Sequence, residues 1–298
     1  MTATVSDKRP VTLHLNIPFC LSRCSFCTRE LVEGWDSARN HAYMEALQRE
    51  IAANAGQFED CEVCALRLGG GTASMMHGAD IVSLLKLIRA SYAVRPDAPV
   101  SMRAAISSFS AASMPLFKRA GINRFDIEVM SLDPLAFTRY NKKDALGDFS
   151  VVCDYFLRSY TNNNLGLVLM WGLDDPDGPS FRRNMLAALN THAVHIIMQR
   201  CVGTGVHSPA SLDAQFKQAQ EMFASAGFIE YAPCCFAKEG HEDPYLAAKA
   251  HGGECLGFGL GATTHFDGVI STNTMDLNLY LTASTDYTQI TKNIQPVV

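Results

Sequence analysis

Three cysteines, Cys20, Cys24 and Cys27, stand at C-x3-C-x2-C directly after a largely apolar run, Leu13 to Phe19, that suits a first β-strand. Thiols packed this tightly suit iron. A [4Fe-4S] cube offers four corners to thiolates, and so short a loop wraps three irons and leaves the fourth without a protein ligand, open to chemistry. Structural zinc asks for four nitrogen or sulfur ligands in paired spacings, and no second pair follows at finger distance. A glycine run, Gly69-Gly70-Gly71-Thr72, follows a short strand. Taken alone it is a tight strand-to-helix turn, and its glycines also let backbone approach a bound group closely.

Other chemistry-bearing residues read more plainly. Cys61 and Cys64 have ligand spacing but stand where a strand begins, on the side of the sheet away from the first loop. Cys234-Cys235 follow Tyr231-Ala232-Pro233 on a segment that can reach over a barrel mouth, with buried structural thiols as the plainer reading. Cys153, Cys201 and Cys255 read as core or loop fillers, and His241, His251 and His265 as loop or surface histidines.

Positioning the first loop is the task of alternating strands and helices. Asp36 or Ser37 caps a helix with Met44, Leu47, Ile51 and Ala55 on one stripe, closed by Gly56. Residues 65–68, 100–106, 124–130, 165–171 and 194–199 read as further strands, and intervening helices include 110–120, stopped by Gly121, 150–160 and 180–190. Strands that alternate with helices predict a parallel sheet covered by helices. With six such units the fold class is α/β, an incomplete (β/α)6 barrel. Its site belongs at the strands' C-terminal ends, where the cysteine loop leaves the first strand. The expected division is a barrel over 1–231 and a shorter extension, 232–298, covering its mouth.

Composition narrows the partners. The 298 residues carry a net charge of −5, which leaves no broad basic field for nucleic acid. No apolar run reaches membrane-spanning length and the polar start has no signal-peptide core, so a cytoplasmic location is expected. Ten cysteines there read as reduced thiols and metal ligands.

These residues resemble the radical S-adenosylmethionine (SAM) superfamily and, within it, the oxygen-independent coproporphyrinogen III oxidase family. The likeness runs from His14-Leu15-Asn16-Ile17-Pro18-Phe19-Cys20 through Phe26-Cys27, Gly69-Gly70-Gly71-Thr72-Ala73-Ser74 and Gly121-Ile122-Asn123-Arg124. It continues in Glu230-Tyr231-Ala232-Pro233 and in Gly257-Phe258-Gly259-Leu260-Gly261-Ala262-Thr263-Thr264. The resemblance implies a partial radical SAM barrel with SAM beside the cluster, Phe26 against adenine and Gly69, Gly70, Gly71 and Thr72 near the methionyl part. It implies Lys142 in place of a family arginine, flavodoxin or ferredoxin as electron donor, and a tetrapyrrole-like or other acid-bearing substrate. Chemistry would run through a 5'-deoxyadenosyl radical. Methyl transfer with two SAM, the second resting on Gly259 and Gly261, and haem binding without catalysis are the alternatives within the group. The family's extra C-terminal substrate domain is expected to be largely lacking.

The chain also departs from the family's pattern. Ala105 and Val168 stand where carboxylates are expected, Met130 where a glutamine is, Asn16 where a histidine is, and His14 where an aromatic is. Alternation places Arg103 and Ala105 on one face of a strand, and Asp126, Glu128 and Met130 on one face of the next. Arg103 is then expected to meet Asp126 or Glu128, and Glu128 either to take over a SAM contact or to serve only as a structural partner of Arg103.

Overall fold

The computed structural model describes residues 7–34, 36–109, 112–132, 134–142, 149–159, 164–173, 179–202, 207–283 and 291–296. In chain order β1 (Arg9–Ile17) leads through the short β2 (Phe19–Cys20) and β3 (Val32–Glu33) to α1 (Ser37–Asn54). Then come β4 (Cys61–Gly70), α2 (Gly78–Ser91), β5 (Val100–Ala104), α3 (Ser113–Ala120), β6 (Arg124–Met130), α4 (Pro134–Arg139), α5 (Phe149–Ser159) and β7 (Leu165–Trp171). The remainder is α6 (Pro179–Leu189), β8 (His195–Arg200), α7 (Pro209–Ser225), β9 (Ile229–Ala232), β10 (Cys235–Ala237), α8 (Pro244–Ala250), β11 (Cys255–Phe258), β12 (Thr263–Phe266), β13 (Val269–Asn273), α9 (Leu277–Thr282) and β14 (Thr291–Pro296).

The main sheet runs β14-β13-β12-β11-β1-β4-β5-β6-β7-β8-β10-β9. Neighbours from β11 to β8 pair parallel, and the strands outside that stretch pair antiparallel. The six expected strands are therefore present, side by side and in chain order. Local chemistry sets the boundaries. Asp36 caps α1 by accepting the Arg39 N–H at 2.7 Å. Gly121, at φ 89°, takes the left-handed turn that ends α3.

Strand alternation sorts the two faces. Leu13, Leu15, Ile17, Leu66, Leu68, Met102, Ile127, Leu167 and Ile196 are buried in one apolar core, which also takes in Met44, Leu47 and Ile51 of α1. The opposite face carries His14, Arg67, Arg103, Asp126, Glu128 and Gln199. Arg67 on β4 reaches Asp126 on β6, and Arg103 on β5 reaches Gln199 on β8. Side chains two and three strands apart can touch only if the sheet curls toward that face, so it forms the inner wall of an open barrel.

Several expectations need correction. β4 is ten residues long rather than four, because Cys61 to Ala65 continue its pairing with β1. β5 stops at Ala104, where a 3-10 turn over Ile106–Ser108 begins. α1 ends at Asn54 and tightens into a 3-10 turn that contains Gly56 rather than stopping at it. α3 starts at Ser113; residues 110 and 111 of the expected helix lie outside the described residues. Residue 231 falls inside β9, and the chain beyond it extends the sheet at both edges: β10 joins β8 while β11 joins β1.

Candidate active site

The cysteine loop leaves β1 at the C-terminal end of the sheet and is tied down along its length. Phe26 packs edge-on to Tyr140 with ring centroids 5.9 Å apart and joins a small apolar cluster with Met130, Met170 and Cys201. The Ser25 N–H donates to the Tyr140 carbonyl at 3.2 Å, and the Asn141 amide donates to the Arg23 carbonyl at 3.2 Å. Arg23 in turn pairs with Glu33 at 3.2 Å. A turn from Cys24 to Cys27 is closed by the Cys27 N–H on the Cys24 carbonyl. The loop's shape therefore comes from β3 and the end of α4 as well as from its own sequence.

All three thiols line one cavity, open to solvent, together with Phe26, Arg29, Glu128, Met130, Lys142, Val168, Met170 and Gln199. A second cavity of about 380 Å³ shares Cys20, Cys24, Glu128 and Lys142 and adds Thr72, Met75 and Ala105. Burial pushes the Cys20 thiol up, opposed by the Thr72 hydroxyl 3.5 Å away, and pushes Cys24 up to about 11. Among the described residues no three His, Cys, Asp or Glu side chains are gathered as a metal site. The donor set fits a cluster in kind: three thiols on one loop, facing one cavity.

Glu128 is the carboxylate among the described residues lining both cavities. Its Oε1 lies 2.6 Å from Arg103 Nε and 3.9 Å from Arg29 Nη1. Burial alone would raise its pKa, but Arg103, Lys142 and Arg29 outweigh that and hold it below the usual carboxylate value. Burial in turn pulls Arg103 down to about 10, with Glu128 opposing. Of the two partners expected for Arg103, Glu128 is the one found. Asp126 is fully buried and instead meets Arg67 at 2.8 Å and His195 Nδ1 at 2.8 Å. Arg67 also reaches Asp243 at 2.8 Å, and Tyr231 bonds His195 Nε2 through its hydroxyl while accepting the Asp243 N–H. This network knits the β9–α8 segment to the inner wall beneath the cavity.

The structure separates the remaining expected residues. Ala105 and Val168 do face the cavities and are apolar, so the polar contacts expected there are absent. Gly69, Gly70 and Gly71 stay outside the lining; a Cβ on Gly71 would run into the Phe19 carbonyl and one on Gly69 would meet the His14 ring at 3.3 Å. Their small size lets the end of β4 pass closely over β1 and the start of β2. Gly259 and Gly261 are also elsewhere. Gly259 donates its N–H to Glu50 on α1 at 2.8 Å, and a Cβ on Gly261 would run into the Met275 sulfur.

The thiols outside the loop behave as fillers. Cys61 and Cys64 open β4, with Cys64 Sγ on the Val11 carbonyl at 3.2 Å. Cys153 lies in the main core, Cys255 packs beside Ala65 and Tyr245, and Cys234-Cys235 make the turn into β10. His241 meets Asn164 at 3.1 Å and His251 the Ala247 carbonyl at 2.7 Å, while His265 lies exposed on β12. Sequence reasoning missed Arg29, Gln199 and the Arg67–Asp126–Asp243 network. A cation two residues beyond Cys27, and charges at every second strand position, were the available signals.

A parallel sheet curled around a charged interior, with a three-cysteine loop at the strands' C-terminal ends, has the architecture of the radical SAM proteins. Coproporphyrinogen III oxidase (HemN) from Escherichia coli, a radical SAM enzyme, superposes with a TM-score of 0.81 at 19% identity, over 92% of this chain and 69% of that one. The heme chaperone HemW of E. coli strain K12 is 24% identical over 267 residues, 85% of this chain and 69% of its own. Anaerobilin synthase of E. coli O157:H7 is 24% identical over 300 residues, 94% of this chain and 66% of its own. No family model matches. These likenesses fit the oxygen-independent coproporphyrinogen III oxidase-like (HemN/HemW-like) group of the radical SAM superfamily, and the chain spans about two thirds of the length of the curated relatives it matches.

Proposed function

We propose that the protein is a radical SAM enzyme in which Cys20, Cys24 and Cys27 hold a [4Fe-4S] cluster and the adjoining cavity takes SAM and then an acid-bearing, tetrapyrrole-like substrate. The observation that supports it most is the shared cavity: three thiols, the carboxylate of Glu128 and the cations Arg29 and Lys142 line one space. When bound, the cluster and SAM supply one-electron cleavage of the sulfonium to a 5'-deoxyadenosyl radical that abstracts hydrogen, the electron coming from flavodoxin or ferredoxin. The chain's own residues do the rest. The thiols lose their protons on ligating iron, Glu128 accepts hydrogen bonds from SAM's polar groups, and Arg29 and Lys142 attract carboxylates. Phe26, Met130, Val168 and Met170 keep water from the reacting atoms.

Haem binding without catalysis is the second reading. It is favoured by the likeness to a heme chaperone over 85% of the chain and by the apolar Ala105 and Val168 in the cavity walls. Anaerobic incubation of the iron-loaded protein with SAM, a reductant and candidate porphyrinogens, read by mass spectrometry, separates the readings. 5'-Deoxyadenosine is expected; S-adenosylhomocysteine beside it would mean methyl transfer. Haem uptake with no SAM cleavage would overturn the enzymatic reading.

A further inference from the structure

A third cavity lies on the rim of the barrel, where the 3-10 turns after β4 (Ala73–Met75) and β5 (Ile106–Ser108) face the starts of α2 and α3. Its free volume is about 400 Å³, within the range of roughly 300 to 1,000 Å³ that small-molecule sites occupy. Leu21, Met75 and Ser107 also line the second cavity, which carries Cys20, Cys24 and Lys142, so the two adjoin. Contacts of their own fix the walls. Buried Ser74 bonds Ser108 and accepts the Ala105 N–H at 3.2 Å, which ties the two turns together. A Cβ on Gly78 would run into Leu116, so α2 and α3 meet there without a gap.

The lining selects the occupant. Leu21, Met75, Met76 and Leu116 are apolar, and no Lys, Arg, Asp or Glu stands among the described lining residues. Two thioethers side by side suit an aromatic ring, while a carboxylate finds no lysine or arginine until Lys142 in the adjoining cavity. With SAM in the first cavity, the ring of a substrate needs room elsewhere. Resting on the reading above, we propose that this rim cavity receives the heteroaromatic ring of the acid-bearing substrate against Met75 and Met76, with the acid arm passing Leu21 toward Lys142. The substrate thus approaches the cysteine loop from the β4–β5 rim, acid end first.

The test is a titration of iron-loaded protein, carbon-13 labelled at its methionine methyls and supplied with S-adenosylhomocysteine, with porphobilinogen, a pyrrole bearing two carboxylates. Proton–carbon NMR reads it, and single Met→Leu variants assign the signals. Ring-current shifts are expected at Met75 and Met76 and not at Met130 and Met170, which line the first cavity. Ser107→Trp, which fills the junction of the two adjoining cavities, should weaken porphobilinogen by about tenfold or more, the cost of forcing a ring into filled space. Iron content, S-adenosylhomocysteine affinity and melting temperature should stay as in wild type. Shifts at Met130 and Met170 alone, shifts at no methionine, or unchanged binding by a folded Ser107→Trp overturns the assignment of the rim cavity. A wild-type protein that loads iron yet does not bind S-adenosylhomocysteine overturns the radical SAM reading instead, whatever Met75 and Met76 show.

Discussion

At the scale of single residues the cysteine loop makes the clearest commitment. Replacing Cys20, Cys24 and Cys27 with Ala should abolish the roughly four iron and four sulfide per chain expected of a cluster with three thiolates and one open corner. Cys61→Ala with Cys64→Ala should leave iron unchanged, because those thiols sit at the start of β4; iron and sulfide assays decide both. Glu128 has two tasks, since it faces the cavity and pairs with Arg103 at 2.6 Å. Glu128→Gln should therefore weaken SAM binding by about 1.5 to 3 kcal/mol, the range for hydrogen bonds to charged groups, and also lower the melting temperature. Unchanged SAM affinity beside a lowered melting temperature would leave Glu128 a purely structural partner.

At the scale of elements, α1 is fastened to the last third of the chain by one buried carboxylate. Glu50 accepts from the Gly259 N–H at 2.8 Å, the Asn273 amide at 2.7 Å and the Tyr280 hydroxyl at 2.6 Å. Glu50→Ala would leave three donors without their acceptor, so a loss of about 3 kcal/mol or more is expected in denaturant unfolding. This knot explains what the sequence could and could not disclose. The six central strands and their helices were legible because each carries its own apolar periodicity. The methyl-transfer alternative rests a second SAM on the Gly257 to Ala262 segment, but Gly259 closes on β1 and α1, Gly261 on Met275 and Gly257 on Thr263. Pairing between Thr12 and Cys255, or Glu50 and Tyr280, joins positions more than two hundred residues apart, and no local pattern records it. Glu128 and Arg103 were legible by alternation; Gln199 was not, since an amide on a strand end gives no periodic signal.

Across the whole molecule, buried charge ties stability to pH. His14, on the inner wall near Arg67 and Lys249, is held down to about 3 from 6.5, chiefly by burial and then by those cations. Below pH 6.5 the unfolded chain therefore takes up a proton that the folded chain refuses, and stability falls as pH drops from 6.5 toward 3. At pH 5 the loss amounts to about 2 kcal/mol. His14→Gln should keep more of its neutral-pH melting temperature at pH 5 than wild type does, as scanning calorimetry at both pH values would show; parallel losses would exclude His14 as the source. Among the described residues no helix is long and apolar enough to cross a membrane.

The place of β1 in the sheet has a consequence for biosynthesis. This strand delivers the cysteine loop, yet one of its two flanking partners, β11, is made about 240 residues later. Chains emerge from the ribosome N-terminus first and parallel pairings between distant segments form slowly. The three cysteines proposed to hold iron are thus synthesised well before the strand that completes the support of β1. A nascent chain lacking β11 should hold its thiols on an unsecured edge, so insertion of the proposed cluster is expected only after translation has passed residue 258.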